Sequence, residues 1–122
     1  MLSRQRLLII EDVSLIALDI QRVLEDANAE QAVFARDFGD ARKHAERFAD
    51  FDLAIVNPPG RDVSEIETAA LLASAGPAIV VCSATMTDFA GTPLAGAEVI
   101  TKPFADGDLL AACHRALSRR AG

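Results

Sequence analysis

The chain has 122 residues, 51% of them hydrophobic, and a formal net charge of −6 at pH 7. This length fits a single domain over residues 1–122 with enough apolar side chains for a core. No apolar run approaches the ~20 residues of a membrane span, and Met1-Leu2-Ser3-Arg4-Gln5-Arg6 lacks the apolar stretch of a signal peptide. The acidic balance argues against a nucleic-acid surface. The nearest basic grouping, Arg115, Arg119 and Arg120, reads as the usual cation preference of a helix C-terminus.

In chain order, Leu7-Leu8-Ile9-Ile10 reads as a buried parallel strand that ends in Glu11-Asp12. A helix is expected from about Val13 to Ala27, with Ile16, Ile20, Val23, Leu24 and Ala27 on one apolar stripe. Asp12 is placed to cap it. A second strand is expected over Gln31 to Ala35, then a helix over Phe38 to Ala49 that buries Ala41, Ala45 and Phe48. The third strand, Leu53 to Val56, runs into Asn57-Pro58-Pro59-Gly60. A helix over Ser64 to Ala73 is broken by Gly76-Pro77, and Ile79 to Cys82 forms a fourth strand ending in Ser83-Ala84. Thr85 to Ala97 contains Gly91, Pro93 and Gly96 and has little helical periodicity, so only a short or irregular helix is expected, from about Thr87 to Ala90. Val99-Ile100-Thr101 is the fifth strand, ending in Lys102-Pro103-Phe104. The last helix starts near Asp106 and buries Leu109, Leu110, Cys113 and Leu117.

Alternating strands and helices imply βαβ units around a parallel sheet. In such sheets ligands bind outside the carboxyl ends of the strands, which is where Glu11, Asp12, Asn57, Ser83 and Lys102 fall. An acid pair directly after an all-apolar strand points to a site more than to a solvated loop, whereas a serine at a strand end is a weak signal. Cys82 and Cys113 read as reduced core residues of a cytoplasmic protein. His44 and His114 have no suitable neighbours in sequence and receive no catalytic role.

These four strand-end motifs in order resemble the receiver domain of two-component response regulators, over about residues 5 to 118. The resemblance implies a flavodoxin-like, doubly wound α/β fold with a five-stranded parallel sheet in order 2-1-3-4-5 and helices on both faces. It also implies a role for each motif. Glu11 and Asp12 match the acid pair that holds Mg²⁺, Asn57 stands at the phosphoacceptor position, and Ser83 and Lys102 match the residues that contact the phosphoryl group. In that family the Lys-Pro bond is usually cis, and an aromatic ring three residues before it turns as the phosphorylation switch. Here that position is Val99, and the chain contains no Tyr.

The departures bear on one reaction. Phosphoryl acceptance needs a carboxylate nucleophile, a metal, and donors for the phosphoryl oxygens. Asn57 offers a neutral amide, and Pro58 and Pro59 remove two backbone donors. Mg²⁺ binding is expected to be weakened rather than lost, with the Asn57 amide oxygen as a poor third ligand. Lys102 is expected to pair with Glu11 or Asp12 in a partly solvated crevice, where its loss would cost about 1 kcal/mol.

The expected function is that of a non-enzymatic, atypical receiver acting by protein–protein contact with a sensor histidine kinase or another signalling protein; homodimerisation is left open. No effector domain follows within these residues, so the chain is either a single-domain regulator or a receiver cut from a longer protein. Three alternatives stand beside this: a receiver phosphorylated on another carboxylate such as Asp62, one carrying an engineered Asp-to-Asn change, and a small flavodoxin-like enzyme. Pro58, Pro59 and Val99 favour natural loss of the acceptor over a single engineered change. The absence of a Gly-rich phosphate loop and of Trp and Tyr argues against a flavin enzyme.

Overall fold

The computed structural model describes residues 5–30, 32–84, 89 and 91–121. Five strands, β1 (Leu7–Ile10), β2 (Ala32–Ala35), β3 (Leu53–Val56), β4 (Ala78–Ser83) and β5 (Glu98–Thr101), form one sheet in the order β2-β1-β3-β4-β5. Every pairing is parallel. The expected topology is therefore observed. The helices are α1 (Ser14–Asp26), α2 (Phe38–Ala41), α3 (Val63–Ala75) and α4 (Asp106–Ala121), with a 3-10 helix over Arg42–Asp50 following α2.

The central strands are apolar at every position because both faces of the sheet are covered. Leu7, Ile9, Leu53, Ile55, Val80 and Cys82 point to one face, against Ile20 and Leu24 of α1 and Leu109 and Cys113 of α4. Leu8, Ile10, Ala54, Val56 and Val81 point to the other, against Phe38, Phe48, Ala69 and Leu72. Val99 packs on this second face at the partly buried margin of the core. Both cysteines are free and fully buried, and burial pushes each thiol up to about 12. Neither is a reactive thiolate.

Two local expectations change, and a third lies largely outside the described residues. The helix expected over Phe38 to Ala49 is α-helical for only its first turn and continues as 3-10 helix to Asp50. The interior segment Lys43-His44-Ala45-Glu46-Arg47 offers one small apolar residue, so little apolar surface rewards a full α-helical stripe, and Phe48 does the anchoring. The α1 cap is Val13, with no side chain capping, so Asp12 does not serve as its N-cap. Between β4 and β5 no helix is assigned among the described residues; Thr87, Asp88 and Ala90 of the short helix expected there lie outside them, as does Gln31 of the second strand. Residues 91–97 form turns closed by Thr92 N–H to Phe89, Ala95 N–H to Thr92 and Ala97 N–H to Leu94 carbonyls, anchored by buried Leu94. Gly76 ends α3 at a φ of 106°, a left-handed cap that side chains resist.

Candidate functional site

Three backbone hydrogen bonds extend the parallel ladder one residue past the strand ends. The Glu11 N–H donates to Ala35 O, the Asn57 N–H to Ile10 O, and the Lys102 N–H to Ser83 O. They fix the first residue of each loop, and so bring Glu11, Asp12, Asn57 and Lys102 together at the carboxyl end of the sheet. The Lys102–Pro103 bond is cis, as the resemblance implies.

The side chains form a closed network. The Lys102 ammonium donates to Glu11 Oε1 at 2.6 Å and to Asn57 Oδ1 at 2.8 Å. Asn57 Nδ2 donates to Glu11 Oε2 at 3.1 Å and to Asp12 Oδ1 at 3.0 Å. The Val13 N–H donates to Glu11 Oε2 at 3.0 Å. Chemistry dictates the amide's orientation: an ammonium has only donors and ionised carboxylates only acceptors, so the oxygen must face Lys102 and the nitrogen the acids. No buried side-chain nitrogen or oxygen among the described residues lacks a partner.

Glu11 is the buried member, with its side chain 1% exposed against 22% for Lys102. Burial alone would raise its pKa. The hydrogen bonds from Lys102, the Val13 N–H and Asn57 outweigh that and hold the carboxyl below its usual range. The expected lysine–acid pair is thus present, on Glu11, but in a drier setting than a partly solvated crevice.

The donor set does not fit a divalent cation as it stands. Both Glu11 oxygens and Asp12 Oδ1 already accept hydrogens, and the amide N–H bonds point into the space between the acids. Asn57 Oδ1, expected as a third ligand, faces the ammonium instead. Among the described residues no group of three or more His, Cys, Asp or Glu side chains is placed to hold a metal. Ser83 is buried at the end of β4, where its carbonyl accepts from Lys102. Asp62 lies apart in role: it is exposed, and its Oδ1 accepts from the Ser64 N–H at 2.8 Å as the N-cap of α3.

Two features were not read from the sequence. Val13, which precedes α1, and Leu15 and Leu18 on its first turns stand exposed beside the acid pair. A groove of about 560 Å³ is lined by Leu15, Ile16, Asp19, Lys102, Pro103 and Phe104. The signal for the first was present, since these three apolar residues fall off the buried stripe of Ala17, Ile20, Val23 and Leu24.

No family model matches the chain, and no curated protein matches it. Solved structures do. A response regulator receiver protein from Sinorhizobium medicae superposes with a TM-score of 0.80 at 18% identity, covering 98% of this chain and 99% of that one. A chemotaxis response regulator of Vibrio cholerae gives 0.75 at 21% identity, over 94% and 100% of the two chains. A receiver domain protein from Methanospirillum hungatei gives 0.75 at 20%, over 98% of each. The fold is that of response regulator receiver domains.

Proposed function

We propose that this chain is an atypical receiver of a two-component or phosphorelay signalling system that accepts no phosphoryl group at Asn57 and acts through protein–protein contacts. The observation that carries the reading is the engagement of the Asn57 amide, at the acceptor position of this fold, in hydrogen bonds to Glu11, Asp12 and Lys102. An amide does not form an acyl phosphate, and Pro58 and Pro59 supply no N–H to an incoming phosphoryl group. In this reading Glu11 and Asp12 are a vestigial metal pair with weakened affinity for Mg²⁺, and Ser83 and Lys102 are the former phosphate contacts.

Contact with another protein is supported by apolar surface beside the site. Leu15 is 79% and Leu18 56% exposed, and Phe34 stands exposed on β2; clustered exposed apolar side chains are characteristic of interaction surfaces. The partner is a sensor histidine kinase or another signalling protein, with a second copy of the chain as the other assembly. No helix among the described residues is long and apolar enough to cross a membrane, and two free buried thiols suit the cytoplasm.

The test is intact-protein mass spectrometry after incubation with acetyl phosphate and Mg²⁺, with beryllofluoride followed separately by NMR. The reading expects no mass increment and no spectral change. A phosphate increment labile to hydroxylamine overturns it, and peptide mapping then shows whether Asp62 carries the group.

A further inference from the structure

We propose that the Asn57 amide takes the place of the divalent cation, so that the loops after β1, β3 and β5 are tied together without metal. The inference rests on the reading of Asn57 as a non-acceptor and adds what holds the site in its stead. Two carboxylates on adjacent residues repel, and the partly positive N–H end of an amide dipole between them offsets some of that repulsion. The amide has two N–H bonds, and each meets one carboxylate, at 3.1 Å on Glu11 and 3.0 Å on Asp12. Its oxygen meets the ammonium of Lys102, which also takes the far oxygen of Glu11. One planar group thereby joins three loops.

The orientation is locked by charge. Rotating the amide so that its oxygen could face a cation would turn its N–H bonds towards the Lys102 ammonium, donor against donor. A metal entering between the acids must therefore displace both amide bonds and disrupt the lysine contact as well. A carboxylate at position 57 would reverse this: it would set a third negative group beside Glu11 and Asp12, and the site would then call for a cation. The residue at 57 decides whether the site is held by metal or by the chain itself.

Thermal melts of wild type, Asn57→Ala and Asn57→Asp, each in EDTA and in millimolar Mg²⁺, test the proposal. Wild type should melt at nearly the same temperature in both, the weakened acid pair adding little at millimolar Mg²⁺. Asn57→Ala should melt lower in EDTA, by on the order of 5 °C, and regain at least half of that with Mg²⁺ as the metal fills the role of the amide. Asn57→Asp should be stabilised by Mg²⁺. A wild type stabilised by Mg²⁺ as much as Asn57→Asp, or Asn57→Ala as stable as wild type in EDTA, overturns the proposal. Should Asn57→Ala fail to fold, Mn²⁺ broadening of the backbone amide signals at positions 13 and 57 decides instead: it is expected in Asn57→Asp, and broadening of wild type at equally low Mn²⁺ overturns the proposal. These failures are separable from failure of the functional reading. Mg²⁺ stabilising the wild type leaves an amide that still cannot accept phosphate, whereas phosphorylation on another carboxylate leaves the amide bridge standing.

Discussion

At the amino ends of the strands, Asp52 pairs with Arg6 and Arg120, and Glu98 with Arg115 and Arg119. At the carboxyl ends, Glu11 and Asp12 share one neutral amide, and a single ammonium reaches Glu11. The first arrangement places four cations around two acids; the second places one. The arginines of the first are largely solvated, from 36% to 58% exposed, and three of them come from the last turns of α4. They pair that helix with acids at the sheet's edge, so the tail arginines do more than answer the helix dipole. The second arrangement has one buried acid, Glu11, and one exposed acid, Asp12; it is under-neutralised and held by a dipole. Acid is thus left under-neutralised at the carboxyl ends of the strands and compensated by arginine at the amino ends.

The largest effect should come from Lys102→Met. It leaves the Glu11 carboxylate buried and short of its strongest donor, and the cost should be about 2–3 kcal/mol, below the full range for a broken buried pair because Lys102 reaches solvent. Urea unfolding measures it. A cost near zero would erase the contrast between the two ends. Glu98→Gln, at the arginine end, should cost only about 1 kcal/mol, because both of its partners are more than half exposed.

Acid should act at both ends, and Asp52 isolates the one at the amino ends of the strands. Burial raises the Asp52 pKa, but the Arg6 backbone N–H and the Arg120 and Arg6 side chains lower it further, to a net value below the ordinary 3.8. A depressed folded pKa adds stability above the unfolded value and loses it as pH falls through the folded value. Asp52→Asn should therefore flatten the decline of stability below about pH 4; an unchanged acid limb would show that the arginines do not hold Asp52. The smallest expected effect is that of salt. Raising NaCl to molar levels should shrink the cost of Glu98→Gln more than that of Lys102→Met, because the arginines on Glu98 are more than half exposed and Lys102 is not, and less exposed charges are screened less. Double-mutant cycles with Arg115→Ala at two salt concentrations sharpen the comparison.

The carboxyl end of the sheet was the more legible from sequence. Each of its residues directly follows a short apolar run, and parallel pairing forces those positions together, so Glu11, Asp12, Asn57 and Lys102 could be placed at one crevice from the sequence alone. The lysine–acid pair followed from charge. The amide bridge did not, because its direction depends on which neighbours each end of the Asn57 side chain meets across three loops. The arginine end was not legible: Arg6, Asp52, Glu98 and Arg120 are brought together by strand register and the rotation of α4, which no local pattern encodes. The 3-10 segment escaped for the opposite reason, since its apolar spacing fits a helix while its polar interior gives an α-helix nothing to bury.

The side-chain amide of Asn57 reports on the central claim most directly. In a ¹⁵N–¹H spectrum its two N–H signals, identified by their loss in Asn57→Asp, should be well separated and slow to exchange. Each proton is held by a different carboxylate. Addition of millimolar Mg²⁺ with acetyl phosphate should leave both signals in place. Averaged, rapidly exchanging signals, or a shift on adding metal and phosphoryl donor, would contradict the account.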